Sequence, residues 1–567
     1  MAKKLCITIA GAVSLGSYES GVAFEVLDAL AQHNQWADEN RQPDERIEID
    51  VLTGASAGGM TAAMIAQRLL FDGPAMSQPY SNPLYEAWVK SVDITGLLAR
   101  QPDEDVTHSL LSSDCVMGIA KTYLTGRYAT APPQPQPHPA LSADGKLQLG
   151  LSLSNLSGVD YARKTSSGGE FTFTDHEDQM ARALSMAADD RLELWEELRA
   201  AAVACGAFPV AFRVQDLIRN IVDYTGSKYL VQRLWGGAPS RYFTYTDGGV
   251  FQNQPLGMAK NLVETIPGGH LNAEQRGYLF IAPQPKTSEN IPYTTDPKAD
   301  PAKAFGSANA NYKALIERLA LSVISQSAFQ DWVMAEKVND KISLLDRRAS
   351  QLQDLFLSGA INAAQSTPVS STLLPRFFQA GNAMTSAETT AMNAARAQLK
   401  HQYAEEYARF GADDQSADAW LDAVLVLELA AGLHEKEEML IYDFVADTKL
   451  LAGNGLEAFV GFFDLAYRKH DYDYGRSMGQ RQLAAYKSQP GSVFANLHWT
   501  PKAIDLIDPE LNDLDISKVD KTKRQQVYQQ IQAAANDLLE ELNVNLVVRK
   551  ALMLFFINGQ IKTLLAL

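Results

Sequence analysis

The sequence predicts an α/β protein, a layered sheet domain followed by a mostly helical region. Three observations carry this. Short apolar runs alternate with helix-periodic segments through the first half of the chain, as strands and helices packed in layers require. A Pro-rich stretch at residues 131–139 breaks that half where neither element can continue. Beyond Pro283 the strand-like runs stop, and Ala, Leu, Gln and Glu dominate.

Taken in order, residues 5–9 read as a first strand, and helical spacing follows over 18–32. Residues 47–52 form a second strand, and 57–70 a helix of small residues. A helical insertion is expected over about 72–127, closed by the Pro-rich loop. Further strands are expected at 147–153, 242–245 and 278–281. Residues 287–301 read as a linker and 302–434 as mostly helical, with amphipathic spacing in 312–319 and 400–407. The apolar stretch 552–567 is interrupted by Asn558, Gln560 and Lys562, which suits a packed helix better than a bilayer span.

Composition narrows the function. The 567 residues exceed one usual core, so two domains are expected. A net charge of −17, spread along the chain, argues against nucleic acid and against docking on anionic lipid by charge. Contact with a neutral membrane or micelle interface stays open, because it depends on apolar surface. Cys6, Cys115 and Cys205 are scattered, as expected of free thiols in a reducing compartment. The N-terminal residues read as a strand, too short and polar for a signal segment, so the expected setting is the cytoplasm, with at most peripheral membrane contact.

Gly54-Ala55-Ser56-Ala57-Gly58 matches G-x-S-x-G, and so does Gly475-Arg476-Ser477-Met478-Gly479. Context separates them. Ser56 stands between an apolar run and a small-residue helix, the strand–turn–helix setting of a nucleophile elbow. The flanking Gly54 and Gly58 would allow a tight turn and close backbone approach, and the helix N-terminus would face a developing oxyanion. Ser477 follows a polar aromatic stretch that is no buried strand.

A serine nucleophile needs a base. None of the nine histidines has a recognisable site context. Asp247-Gly248-Gly249 does, because it directly follows the strand-like residues 242–245. Gly248 and Gly249 would let the chain turn sharply and aim the carboxylate back at the sheet edge.

In combination these residues resemble the patatin-like phospholipase family. The resemblance has four parts. These are the loop Gly11-Ala12-Val13-Ser14-Leu15-Gly16 with its helix, the Ser56 elbow, the small-residue helix 199–212, and Asp247-Gly248-Gly249-Val250-Phe251-Gln252-Asn253-Gln254-Pro255. It covers about residues 5–285 and implies a three-layer α/β/α sheet domain over 1–290, with 291–567 as a mostly helical region. It also implies a Ser56–Asp247 dyad that cleaves lipid or acyl esters through an acyl-enzyme, with no metal or cofactor. Loop amides near Gly11, Ala12, Val13 and Gly16, together with Ala57, would stabilise the oxyanion. A base of this kind needs its pKa raised by burial.

The chain departs from the family pattern in that loop, which usually reads G-G-G-x-R/K-G. Ala12 and Val13 replace two glycines, and Leu15 occupies the basic position. A β-branched Val13 would be strained at positive φ, so either φ stays negative there or other amides serve. Loss of the basic residue points to a neutral ester or lysolipid. Residues 459–476 further resemble a segment of longer bacterial patatin-related proteins. Two other readings fit the sequence. One is an α/β-hydrolase with a triad using His270, His401, His434, His470 or His498. The other is a catalytically impaired scaffold or membrane-binding protein.

Overall fold

The computed structural model describes residues 2–99, 101, 104–105, 108–130, 132–164, 169–224, 237–267, 271, 275–283, 330–379, 384–431, 439–505, 507–512, 514, 516–541, 562 and 565–567. Its first strand, β1 (Lys3–Ile9), leads through a short loop into α1 (Gly16–Glu39). Then come β2 (Ile47–Gly54), α2 (Ser56–Phe71) and, within the expected insertion, a run of short helices that includes α3 (Ser113–Ala120). A long ribbon of β3 (Lys146–Lys164) and β4 (Glu170–Ser185) precedes α4 (Leu192–Cys205). After it stand β5 (Gln215–Asn220), β6 (Ser240–Asp247), α5 (Leu256–Glu264) and β7 (Arg276–Pro283).

The sheet runs β5-β6-β3-β2-β1-β7-β8, with β4 paired to β3 off that path and β8 taken from Ile441–Ala446. Pairs β1–β2, β2–β3, β1–β7 and β7–β8 are parallel, while β3–β4, β3–β6 and β5–β6 are antiparallel. Helices cover this mixed sheet, with α1 against β2 and β7 and both α2 and α5 against β1, β2 and β3, consistent with a three-layer α/β/α arrangement.

Every residue of β2 is buried, although two of them are acidic. Each charge has a partner. Asp50 accepts two hydrogen bonds from Arg276 at the start of β7, at 2.9 and 2.7 Å, and Glu48 accepts from Lys4 at 2.8 Å. Burying either acid without its cation would be costly, so these pairs register the central strands.

Among the described residues the chain divides into two compact units, Met1–Pro267 with Glu274–Asp331 and Ile441–Leu567, and Gly268–Ala273 with Trp332–Leu440. The units therefore do not part at residue 290, where the sequence placed the boundary. The reason is β8, a short strand inside the stretch read as helical, which pairs with β7 from Tyr278↔Ile441 to Pro283↔Ala446. The smaller unit is helical, with α6 (Gln330–Leu357), α7 (Ala363–Phe378), α8 (Ser386–Gln402) and α9 (Asp414–Ala431). Its core gathers around Trp420, whose indole donates to the Ala349 carbonyl at 3.0 Å. The expected linker 287–301, the segment 312–319 and nearly all of 552–567 lie outside the described residues.

In the larger unit, α10 (Leu465–Lys487) packs on α1 along its length. Small residues make the approach possible. A Cβ on Gly475 would sit 2.1 Å from the Tyr18 carbonyl, and one on Gly21 would sit 2.1 Å from the Tyr472 carbonyl. The second G-x-S-x-G is thus a helix-packing surface, with Ser477 half-buried inside a helix. Among the described residues no helix is long and apolar enough to cross a membrane.

Candidate active site

Strand β2 ends at Gly54, Ala55 is extended, and α2 begins at Ser56. The turn is sharp, and its left-handed residue is the serine itself, at φ 50°. The flanking glycines serve space instead of positive φ. A Cβ on Gly58 would lie 2.2 Å from the Ala10 carbonyl, and one on Gly54 would lie 2.4 Å from the Gly58 carbonyl. Close approach of α2 to the ends of β1 and β2 therefore holds Ser56 in a conformation that costs about 1–3 kcal/mol.

Asp247 closes β6, opposite Leu153 on β3. Its amide donates to the Ala207 carbonyl at 3.0 Å, tying the strand end to the loop after α4. Gly248 passes so near β3 that a Cβ would lie 2.1 Å from the Ser152 carbonyl. This turn sends the carboxylate to the elbow. Ser56 Oγ donates to Asp247 Oδ2 at 2.6 Å, and Asp247 Oδ1 accepts from the Gly249 amide at 2.7 Å. Burial pushes the Asp247 pKa up to about 7, and the two hydrogen bonds oppose that rise only in part.

The loop 11–16 lies beside this pair. A Cβ on Gly11 would be 3.1 Å from Ser56 Cβ, and Gly11 donates to the Asn253 carbonyl at 3.1 Å. Ala12 has φ −144°, while Val13 sits at φ 51°. The expectation that Val13 could keep a negative φ is therefore corrected, and its β-branched side chain bears the strain. Gly16 has a packing reason, since a Cβ there would lie 2.8 Å from the Trp88 ring. Leu15 is buried, so the family's basic position faces the interior here.

Ser56 opens onto an apolar cavity of about 80 Å³. Val13, Ala57, Met60 and Met64 line it near the serine; Trp88, Val92, Val116, Ile119 and Leu124 enter from the insertion, and Phe208, Phe212 and Phe462 complete it. From the insertion, Trp88 lines the cavity with its indole fixed to Thr61 Oγ1 at 2.9 Å. Tyr85 and Val89 instead pack with Phe24 and Tyr472. Phe462 is among the lining residues that sequence reasoning missed. No local signal marks it, because it is brought in by the packing of the C-terminal stretch.

The described histidines of the triad reading lie elsewhere. His270 and His434 fall outside the described residues, and His401 is exposed in the smaller unit. His498 stacks on Trp36 with ring centroids 3.4 Å apart, and His470 contacts Asp471 and Asn512. Among the described residues no histidine hydrogen-bonds to Ser56 or Asp247. No group of three His, Cys, Asp or Glu among them could hold a metal ion.

A strand-end serine at a helix N-terminus, bonded to a strand-end carboxylate over an apolar cavity, defines the class of α/β folds built around an elbow serine. Within that class, residues 7–260 match the family model for patatin-like phospholipases. An uncharacterized membrane protein of Mycobacterium tuberculosis is 26% identical over 318 residues, 49% of this chain and 27% of that protein. An uncharacterized protein of Sinorhizobium fredii is 24% identical over 354 residues, 49% of each chain. The chain thus spans half or less of the length of these relatives. The crystal structure of VipD from Legionella pneumophila aligns with 12% identity and a TM-score of 0.19, covering 88% of this chain and 91% of that one.

Proposed function

We propose that the protein hydrolyses carboxylic ester bonds of lipids or other acyl esters, with Ser56 as nucleophile and Asp247 as its base. The observation that carries this reading is the 2.6 Å hydrogen bond from Ser56 to a buried carboxylate whose pKa is pushed up to about 7. A free aspartate, near 3.9, would be too weak a base, whereas one near 7 matches the task at neutral pH.

Asp247 takes the Ser56 proton as Oγ bonds to the ester carbonyl carbon. Loop amides near Ala12 and Val13, with that of Ala57 at the start of α2, stabilise the oxyanion. Collapse breaks the ester C–O bond, and the departing alkoxide takes the proton from Asp247. Water, deprotonated by the same carboxylate, then attacks the acyl-enzyme and frees Ser56. The cavity lining carries no charged side chain, which supports a fatty acyl chain as its occupant. With Leu15 buried, no basic side chain of the loop waits for an anionic head group, which favours neutral or zwitterionic esters.

A fluorophosphonate probe tests the reading. Covalent labelling of the wild-type protein at Ser56, with p-nitrophenyl ester turnover lost in Ser56→Ala, is the expected result. Labelling that persists in Ser56→Ala, or turnover that survives it, would overturn the assignment.

A further inference from the structure

We propose that residues 452–471, which lie beyond the family match, position the loop 11–16 for catalysis by gripping Ser14, with Arg468 and Asp471 as the residues that hold the grip. This rests on the reading of Ser56 as the nucleophile.

The loop needs such a device. Val13 is held at φ 51°, and a strained β-branched residue persists only where its surroundings over-determine it. Its neighbour Ser14 is 1% exposed, and Ser14 Oγ donates to the Ala458 carbonyl. Ala458 is itself left-handed, at φ 67°. The serine side chain fits between two glycines. A Cβ on Gly461 would lie 2.5 Å from Ser14 Oγ, and one on Gly453 would lie 3.1 Å from it.

Both sides of that slot are fixed from the first turns of α10. Asp471 Oδ1 accepts from the Ala452 amide at 2.7 Å and Oδ2 from the Gly453 amide at 2.9 Å. Arg468 Nη1 donates to the Gly461 and Phe462 carbonyls, each at 3.1 Å, and its Nε donates to the Val89 carbonyl at 2.8 Å. Arg468 and Asp471 stand three residues apart on one helix face, and both are buried. A charged group pinning two backbone groups on each wall sets the width of the slot and so the position of Ser14. The same segment delivers Phe462 to the cavity that Ser56 opens onto. A misplacement of about 1 Å in a catalytic loop can cost roughly a hundredfold in rate, so rigidity here bears on turnover directly.

The test uses the full chain with Ser14→Ala, Gly461→Ala and the double variant. Turnover of p-nitrophenyl butyrate is measured per site, counted by saturating fluorophosphonate titration. Gly461→Ala, which crowds Ser14, should lower kcat about 100-fold and Ser14→Ala about 10-fold, each with KM within about twofold. The double variant should be no slower than Gly461→Ala, because the crowded hydroxyl is gone. Additive losses, near 1000-fold in the double variant, would overturn the proposal. If Gly461→Ala does not fold, Ser14→Ala and Asp471→Asn carry the test with the same lowered kcat at unchanged KM. A fall only in the number of titratable sites, with kcat per site unchanged, would mean that the segment merely stabilises the fold. Wild-type turnover that is lost in Ser56→Ala but unaltered in the Ser14 and Gly461 variants sinks this proposal alone. Turnover absent from wild type, with no labelling of Ser56, sinks the nucleophile and this proposal together.

Discussion

Arg476 Nε donates to Glu25 Oε1 at 2.7 Å, joining α10 to α1 with neither side chain exposed. Arg476 spends its other donors on the Tyr80 hydroxyl and the carbonyls of Lys502 and Ala503, so one cation ties four segments together. Burial nevertheless pushes the Glu25 pKa up, against the pull of Arg476. Replacing Arg476 by Leu strands that acid, and the expected loss of stability is about 3–5 kcal/mol in chemical denaturation. Adding Glu25→Gln should recover part of the loss. Melting unchanged in Arg476→Leu would show that the pair holds nothing.

Two serines share one motif, and their surroundings make opposite predictions. Ser56→Ala should abolish p-nitrophenyl ester hydrolysis, and Ser477→Ala should leave it within about twofold, because Ser477 lies inside α10. A folded Ser477→Ala protein as inactive as Ser56→Ala would reverse the assignment.

The pH dependence follows from Asp247. Its pKa of about 7 lies above that of a free aspartate, so the folded protein favours the protonated form. The base works only when ionised. Activity should therefore rise with pH and reach half its plateau near pH 7 in the kcat/KM profile. Stability has the opposite sign, with this residue's contribution full below about pH 4 and lost as pH rises through 7. Asp247→Asn cannot ionise. It should match wild type in stability near pH 4 and exceed it at pH 8 by on the order of 2–4 kcal/mol, while losing several orders of magnitude in rate. A wild-type rate profile flat from pH 5 to pH 9 would exclude Asp247 as the base.

Trp88 separates chain-length preference from chemistry. It lines the cavity from the insertion side and is pinned by Thr61. Each methylene buried there contributes about 0.8 kcal/mol, so rates should climb along a p-nitrophenyl ester series until the cavity is full. Trp88→Ala should shift the preferred acyl length and barely alter acetate hydrolysis. An unshifted profile in the folded variant would remove the insertion from substrate selection, with Ile119→Ala as the milder check should Trp88→Ala prove unstable.

The strand-end positions of Ser56 and Asp247 were legible because each comes after an apolar run and has a glycine within two residues. The parallel strands around them were legible for the same reason, being short and buried on both faces. Strand β4 was not, since half of its residues are exposed and Asp175, His176, Glu177 and Asp178 break any apolar alternation. Strand β8 was hidden differently. Its six residues sit between helical stretches, and only pairing with β7, far back in sequence, makes them a strand. Phe462 and the Ser14 slot were illegible on principle, because their meaning depends on which distant backbone they touch. Gly58 and Gly248 leave room for neighbouring backbone, and the left-handed residues beside them are Ser56 and Val13.

The place of β8 at the edge of the sheet has a consequence for how the protein is made. A ribosome releases β7 well before β8, with the whole 332–440 unit to be synthesised between them. Throughout that interval β7 offers a bare edge of apolar residues from Tyr278 to Ile281, the kind of surface on which nascent chains aggregate. The loop 11–16, which emerges before β7, waits still longer for residues 452–471. Ser56 and Asp247 would thus be synthesised early, while the packing that surrounds the loop beside them would be completed late.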